Sequence, residues 1–181
     1  MKTNMRTKSK IDIRTVVKAG FLVAISIVMT RFAYIMLPIG GVQGMRISFG
    51  ELPLMLSGFL FGPLVGGLTG IAADLIGVLV NPQGPYFPGF TISSMMWGVI
   101  PGLMMMVFNK GKDYSLFKVV ITVAIGYVVV SLALNTLWLS ILYGAAFFVL
   151  LPARILNVVI SIPIMGFVAR ALLQYLRRFA S

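Results

Sequence analysis

Long apolar runs separated by short polar or basic stretches organise this chain. Four of them are unambiguous, from Val16 to Leu37, Ile92 to Phe108, Val119 to Tyr143 and Ile155 to Leu173. Each falls within the roughly 17 to 25 residues that a helix needs to cross a bilayer core. A fifth run, Leu52 to Val80, holds 29 residues and a single charge, Asp74. It suits either one long helix or two short ones.

Two arguments place a break at Gly62-Pro63. Proline lacks a backbone donor and disfavours helical geometry in the residue before it, and glycine tolerates the turn that results. The second argument is parity. The N-terminal stretch and the 109–118 segment are both basic, and basic loops stay on the side of synthesis, so an even number of spans must separate them. The pattern therefore predicts an all-α membrane protein of six transmembrane helices, at about 16–37, 48–62, 64–80, 92–108, 119–143 and 155–173, in a single integral membrane domain. Residues 1–14 form a basic cytoplasmic tail, and both termini lie inside. The short second and third helices imply tilting, local thinning of the bilayer or a backbone buried by neighbours.

The segments PIGGVQGMRI (38–47) and NPQGPYFPGF (81–90) then lie outside. Their Gly and Pro content is wrong for helix and suits irregular loops that cap a ligand cavity. No internal repeat, low-complexity tract or linker marks a second domain.

Composition sharpens this picture. Of 181 residues, 59% are hydrophobic and 10% charged, with a mean hydropathy of +1.01. A soluble domain of this length cannot hide so much apolar surface. Cysteine and histidine are both absent, which removes disulfides, thiolate nucleophiles and the usual transition-metal clusters, so no metal or cofactor is expected. The basic start leads into an apolar run long enough to span, with no clear cleavage site, and reads as a retained tail and helix.

A net charge of +11 in a soluble protein suggests nucleic acid, but here placement matters more than the sum. Most basic residues fall in three groups that flank apolar runs: Lys2, Arg6, Lys8, Lys10, Arg14 and Lys18; Lys110, Lys112 and Lys118; Arg170, Arg177 and Arg178. They mark cytoplasmic loops, and no nucleic-acid partner is expected.

Arg31, Arg46, Glu51, Asp74 and Arg154 remain, and all map to the outer half. A charge in mid-span costs about 2.5 to 3.5 kcal/mol on insertion scales, so it faces a partner or a wet cavity unless it can reach the headgroups. The arginines can snorkel. Asp74 cannot, and together with Glu51 it points to a shared polar site or to a structural bond with an arginine. Helical spacing adds Asn157 and Ser161 to the face of Arg154, aligns Ser131, Asn135 and Trp138, and pairs Ser94 with Trp97 and Arg31 with Tyr34. Such stripes also serve as helix-helix glue or interfacial belts, readings that fit Tyr143, Phe147 and Phe148. Gly58, Gly62, Gly66 and Gly70 recur at every fourth residue, and Gly20 and Ala24 are similarly spaced, which marks close helix contacts.

The run GFLFGPLVGGLTGIAADLIG (58–77), the loop NPQGPYFPGFT and the segment RISFGELP resemble the substrate-binding S components of energy-coupling factor (ECF) vitamin importers, most of all the folate-specific branch. The likeness extends from about residue 14 to 175. It implies a subunit that captures folate from outside, at a prokaryotic plasma membrane, and docks on a transmembrane coupling (T) subunit joined to two ATPase subunits. The chain has no phosphate-binding Gly-x-x-x-x-Gly-Lys-Ser/Thr loop of its own.

The resemblance also implies a site. Arg31, Trp97 and Asn157 stand where S components place ligand contacts. Trp97 suits stacking on a flat pterin, with Tyr86 or Phe87 closing over it. Asn157 and Asn135 offer amide donors and acceptors to its edges. Arg31 suits either the pterin edge or a glutamate carboxylate, and Arg46 and Arg154 suit the glutamate end, which an arginine can bind with two parallel hydrogen bonds. Ser94 and Trp138 complete the lining, and Glu51 and Asp74 hold the arginines in place. Gly20 and Ala24 match the small pair that docks on the coupling subunit, with glycine in place of the usual first alanine. The competing readings are an S component for pantothenate, a hydroxymethylpyrimidine or a queuosine precursor, a stand-alone carrier, and a membrane enzyme using Glu51 and Asp74 as acid and base.

Overall fold

The computed structural model describes residues 12–39, 42–82, 84–108, 114–144 and 147–178. Six helical rods make up its body. The first is α1 (Ile13–Arg31), followed by the strands β1 (Tyr34–Ile39) and β2 (Val42–Ser48). Next come α2 (Glu51–Phe61), α3 (Pro63–Val80) and α4 (Pro88–Val107). The fifth rod is continuous, made of α5 (Leu116–Gly126), a π segment (Tyr127–Leu134) and α6 (Asn135–Tyr143), and α7 (Phe147–Arg178) is the last.

The helical class is as the hydrophobic pattern predicts, with one local correction. Helix 1 does not continue to Leu37. It stops at Arg31, and Tyr34–Ile39 pairs antiparallel with Val42–Ser48, with Tyr34 opposite Ser48 and Met36 opposite Arg46. Pro38, which has no backbone donor, sits where the register shifts between Leu37 and Ile39. An apolar run followed by the dipeptide Gly40-Gly41 suits a hairpin as well as a helix end. The segment expected as an irregular outer loop, 38–47, is largely the return strand of this hairpin. The other boundaries move by a few residues, because Pro88 takes the first turn of α4 and α7 runs for 32 residues, about 48 Å at 1.5 Å per residue.

Gly62 ends α2 and begins α3, at φ +88°. Pro63 follows at the first helical position, where its missing N–H costs nothing. The break leaves α2 with 11 residues, fewer than a lipid-facing helix needs to cross a bilayer unaided. It lies instead inside the bundle: every residue from Leu52 to Phe59 is buried, which is why its sequence is apolar on all sides.

Glycines fix how closely α2, α3 and α4 approach. A Cβ on Gly58 or Gly66 would run into the Gly98 carbonyl, and one on Gly98 into the Gly66 carbonyl. Gly70 sits against the Ser94 carbonyl, and Gly102 against the backbone at Gly62 and Pro63. Contacts of backbone on backbone are the way helices bind in lipid, where no hydrophobic force draws them together. Outward faces carry Phe21, Leu64, Leu79, Val159 and Phe167, all exposed. Among the described residues five helices are long and apolar enough to cross a membrane, and the molecule is a multi-pass membrane protein.

Candidate functional site

The polar groups gather in the half of the bundle that carries the hairpin, where α1, α3 and the fifth rod end and α2, α4 and α7 begin. Hydrogen bonds fasten α1 to the start of α2: Ser26 Oγ donates to the Gly50 carbonyl at 2.7 Å, and Ser48 Oγ to the Met29 carbonyl at 3.3 Å. The Gly50 N–H donates to Ser48 Oγ at 3.1 Å. The hairpin is therefore anchored at its base.

Arg31 closes α1 against α3. Its Nη2 stands 3.6 Å from Asp74 Oδ1, and its Nη1 donates to the Asn81 carbonyl at 3.3 Å. The Asn81 amide returns a hydrogen bond to the Arg31 carbonyl at 3.3 Å. The guanidinium can lie here because residue 77 is glycine; a Cβ there would fall 2.9 Å from Arg31 Nε. The second carboxylate oxygen of Asp74 accepts from Thr91 Oγ1 at 2.7 Å, and Thr91 pairs with the Tyr86 hydroxyl at 3.1 Å. Asp74 thus joins α1, α3, the first turn of α4 and the loop before it.

A second cluster lies at the mouth of α4. Trp138 Nε1 donates to Ser93 Oγ at 3.2 Å, and the Trp138 ring packs on Phe87 with centroids 5.7 Å apart. Gly89 leaves room for both rings. Two turns further along the buried face of α4, Trp97 meets Tyr127 edge-on, with centroids 4.9 Å apart. Gly126 gives the indole its space, since a Cβ there would lie 2.9 Å from Trp97 Cζ3. Tyr127 is buried, as is Ser161 on α7. Ser161 Oγ donates to Asn157 Oδ1 at 3.0 Å.

Around the π segment, Arg154 Nη1 donates to the Ser131 carbonyl at 3.4 Å. One residue beyond the segment's end, Asn135 Oδ1 is buried with no hydrogen-bond partner among the described residues.

Trp97 packs on Tyr127 and Ser161 bonds Asn157, while Arg31 and Asp74 form a separate junction nearer the bundle's end. Tyr86 belongs to that junction, and Phe87 and Trp138 to the cluster between. Ser94, expected beside Trp97, presents its carbonyl to α3, and Ser93 is the serine in line with the indoles. Arg46 takes its place in β2 opposite Met36, and its side chain lies outside the described residues. Tyr127, Ser93, Thr91 and Asn81 were not selected from the sequence. Tyr127 and Thr91 carry no charge and sit in apolar company, and only their partners on other helices single them out.

Gly20 and Ala24 are exposed on α1, and nothing stands within 4 Å of a Cβ built on Gly20. An open hollow of about 420 Å³ lies on the first turns of the same helix, lined by Ile13, Arg14, Val17 and Lys18. It is at the opposite end from the polar clusters and is no part of them. Among the described residues no group of three or more acidic, His or Cys side chains could hold a metal.

A bundle of membrane-spanning helices with a polar interior beneath a hairpin and a loop defines the class: a membrane protein with a candidate ligand site near one face. The family model for the ECF-type riboflavin transporter S component matches residues 10–178. The chain belongs to that family of S components. A folate transporter FolT of Clostridium novyi (strain NT) is 40% identical over 152 residues, 84% of this chain and 83% of its own length. The FolT of Leuconostoc mesenteroides is 26% identical over 160 residues, 86% of this chain and 82% of its own. A crystal structure of FolT bound with folic acid superposes with a TM-score of 0.77 at 29% identity, covering 91% of this chain and 97% of that one. The S component of a bacterial ECF transporter shares the fold at a TM-score of 0.70 and 22% identity, covering 93% of this chain and 98% of that one.

Proposed function

We propose that this chain is the folate-binding subunit of an ATP-driven ECF importer in a prokaryotic plasma membrane. It takes the vitamin at the hairpin end, which faces outside, while both termini face the cytoplasm. The family is named for riboflavin, but the relatives that match over most of their length are folate transporters, and a folic-acid complex shares the fold.

The observation that carries the reading is the buried edge-on pair Trp97 and Tyr127, together with the hydrogen-bonded pair Ser161 and Asn157 on α7. Aromatic rings and a polar amide suit a planar heterocycle with polar edges. Asn135 brings an acceptor whose hydrogen bond is unmade. Arg46 supplies positive charge for the glutamate end, with Tyr86, Phe87, Ser94 and Trp138 around it. Arg31, Asp74 and Glu51 hold the mouth of the site in shape.

The exposed Gly20 and Ala24 let a coupling subunit approach the backbone of α1 closely. That subunit and its two ATPases supply the energy, and this chain performs no chemistry on its ligand.

Titrating purified chain with folate and with riboflavin while following tryptophan fluorescence tests the proposal. Saturable quenching by folate with none by riboflavin is the expected result. The reverse would return the chain to the vitamin in its family's name.

A further inference from the structure

We infer that Arg154 is a positioning residue: it holds the π segment in register through the Ser131 carbonyl, and so sets the direction of Asn135 and Trp138. The inference rests on the binding reading above and assigns Arg154 a different part in it from a carboxylate contact.

The segment Tyr127–Leu134 is a run of eight residues inside an otherwise α-helical rod. Its far end shows the altered bonding directly, because the Asn135 N–H donates to the Val130 carbonyl, five residues back. In an α-helix that N–H would go to Ser131. The Ser131 carbonyl is therefore released from its usual donor. Two side chains take it up: Thr136 Oγ1 at 3.4 Å, itself fully buried, and Arg154 Nη1 from α7 at 3.4 Å.

A carbonyl left bare in a bilayer core costs several kcal/mol, so whatever satisfies it decides which helical register is stable. A charged donor does so more strongly than a hydroxyl. Without Arg154 the cheapest repair is for the Asn135 N–H to move back to Ser131, restoring the α pattern. Each residue of register turns a helix by about 100°. Asn135, whose buried Oδ1 has no partner among the described residues, would swing away from its present heading, and the Trp138 to Ser93 hydrogen bond would break.

A carboxylate contact and a positioning role differ in what they do to a ligand without carboxylates on its tail. 6-Hydroxymethylpterin carries the pterin ring of folate and no carboxylate. Affinities of the full chain and of Arg154→Gln for both compounds therefore separate the two. A fall by the same factor, about tenfold or more for each, is expected, with Arg154→Lys retaining part of the affinity because it keeps a charged donor. Amide hydrogen exchange supplies the second measurement. Arg154→Gln should speed exchange across 131–136 while leaving 116–126 unchanged.

A loss confined to folate, or unchanged exchange at 131–136, overturns the inference. If Arg154→Gln does not fold, the same comparison is made with Arg154→Lys, where equal partial losses support it and a folate-only loss overturns it. If the unaltered chain binds neither compound, the folate reading fails, and the exchange measurement still decides whether Arg154 grips the π segment.

Discussion

Asp74 stands 3.6 Å from Arg31 with both side chains about one-ninth exposed, so a carboxylate in mid-helix is answered by the last residue of α1. Removing one partner from a buried pair leaves the other charge uncompensated, at a cost of about 3 to 5 kcal/mol. Asp74→Ala and Arg31→Ala should each lower the unfolding midpoint of the purified chain sharply. The double variant should be more stable than the sum of the two losses predicts, by about 1 kcal/mol or more. Simple additivity in thermal denaturation would show that the two residues act independently.

Some glycines touch backbone, some touch side chains and some touch nothing. Gly98→Ala places a methyl group against the Gly66 carbonyl, which cannot step aside, whereas Gly20→Ala meets open space. Overpacking of this kind costs about 1 to 3 kcal/mol. Gly98→Ala should lower stability by at least that much and Gly20→Ala by almost nothing, measured side by side in one detergent. Equal effects would mean that the α3 and α4 backbones are not in contact.

Much of this architecture was legible in the sequence because a bilayer imposes long apolar runs and sorts basic residues to one side. Gly62-Pro63 announced its own break. Asp74 announced a buried partner, since a short carboxylate in an apolar run has few alternatives. The hairpin was hidden because Tyr34 to Leu37 is as apolar as the helix before it, and an apolar run of that length does not distinguish strand from helix. The π segment left no trace either, because Tyr127–Leu134 reads as continuous apolar helix. Its register is set by groups on other elements, the Arg154 guanidinium among them. Ser93 was passed over for Ser94 by assuming ideal helical spacing from Trp97, when the indole that binds a serine is Trp138 on another rod.

The two tryptophans should report differently on a ligand. Trp97 packs on Tyr127 in the bundle interior, while Trp138 is held by Ser93 and Phe87 nearer the mouth. Trp97→Phe keeps a ring against Tyr127 and should abolish most of the folate-induced quenching, and Trp138→Phe should preserve it. Asn157→Ala removes hydrogen bonds worth about 0.5 to 1.5 kcal/mol each, so affinity should fall about threefold to tenfold per bond lost. Unchanged binding in both Trp97→Phe and Asn157→Ala would move the site elsewhere.

Docking and binding should be separable, because α1 offers its small residues to the outside while its last residue faces Asp74 within. Gly20 and Ala24 are exposed, and Gly20 contributes no packing that a larger side chain could disturb. Gly20→Leu should therefore leave folate affinity and thermal stability close to those of the parent. A leucine at that position holds a partner helix away from the α1 backbone, where close approach is the source of attraction in lipid. Uptake by vesicles containing the coupling subunit and both ATPases should accordingly collapse, and the variant should not co-purify with them. Full uptake by Gly20→Leu would move the docking surface to another helix, with the exposed face of α3 at Leu64 and Leu68 the next to be altered.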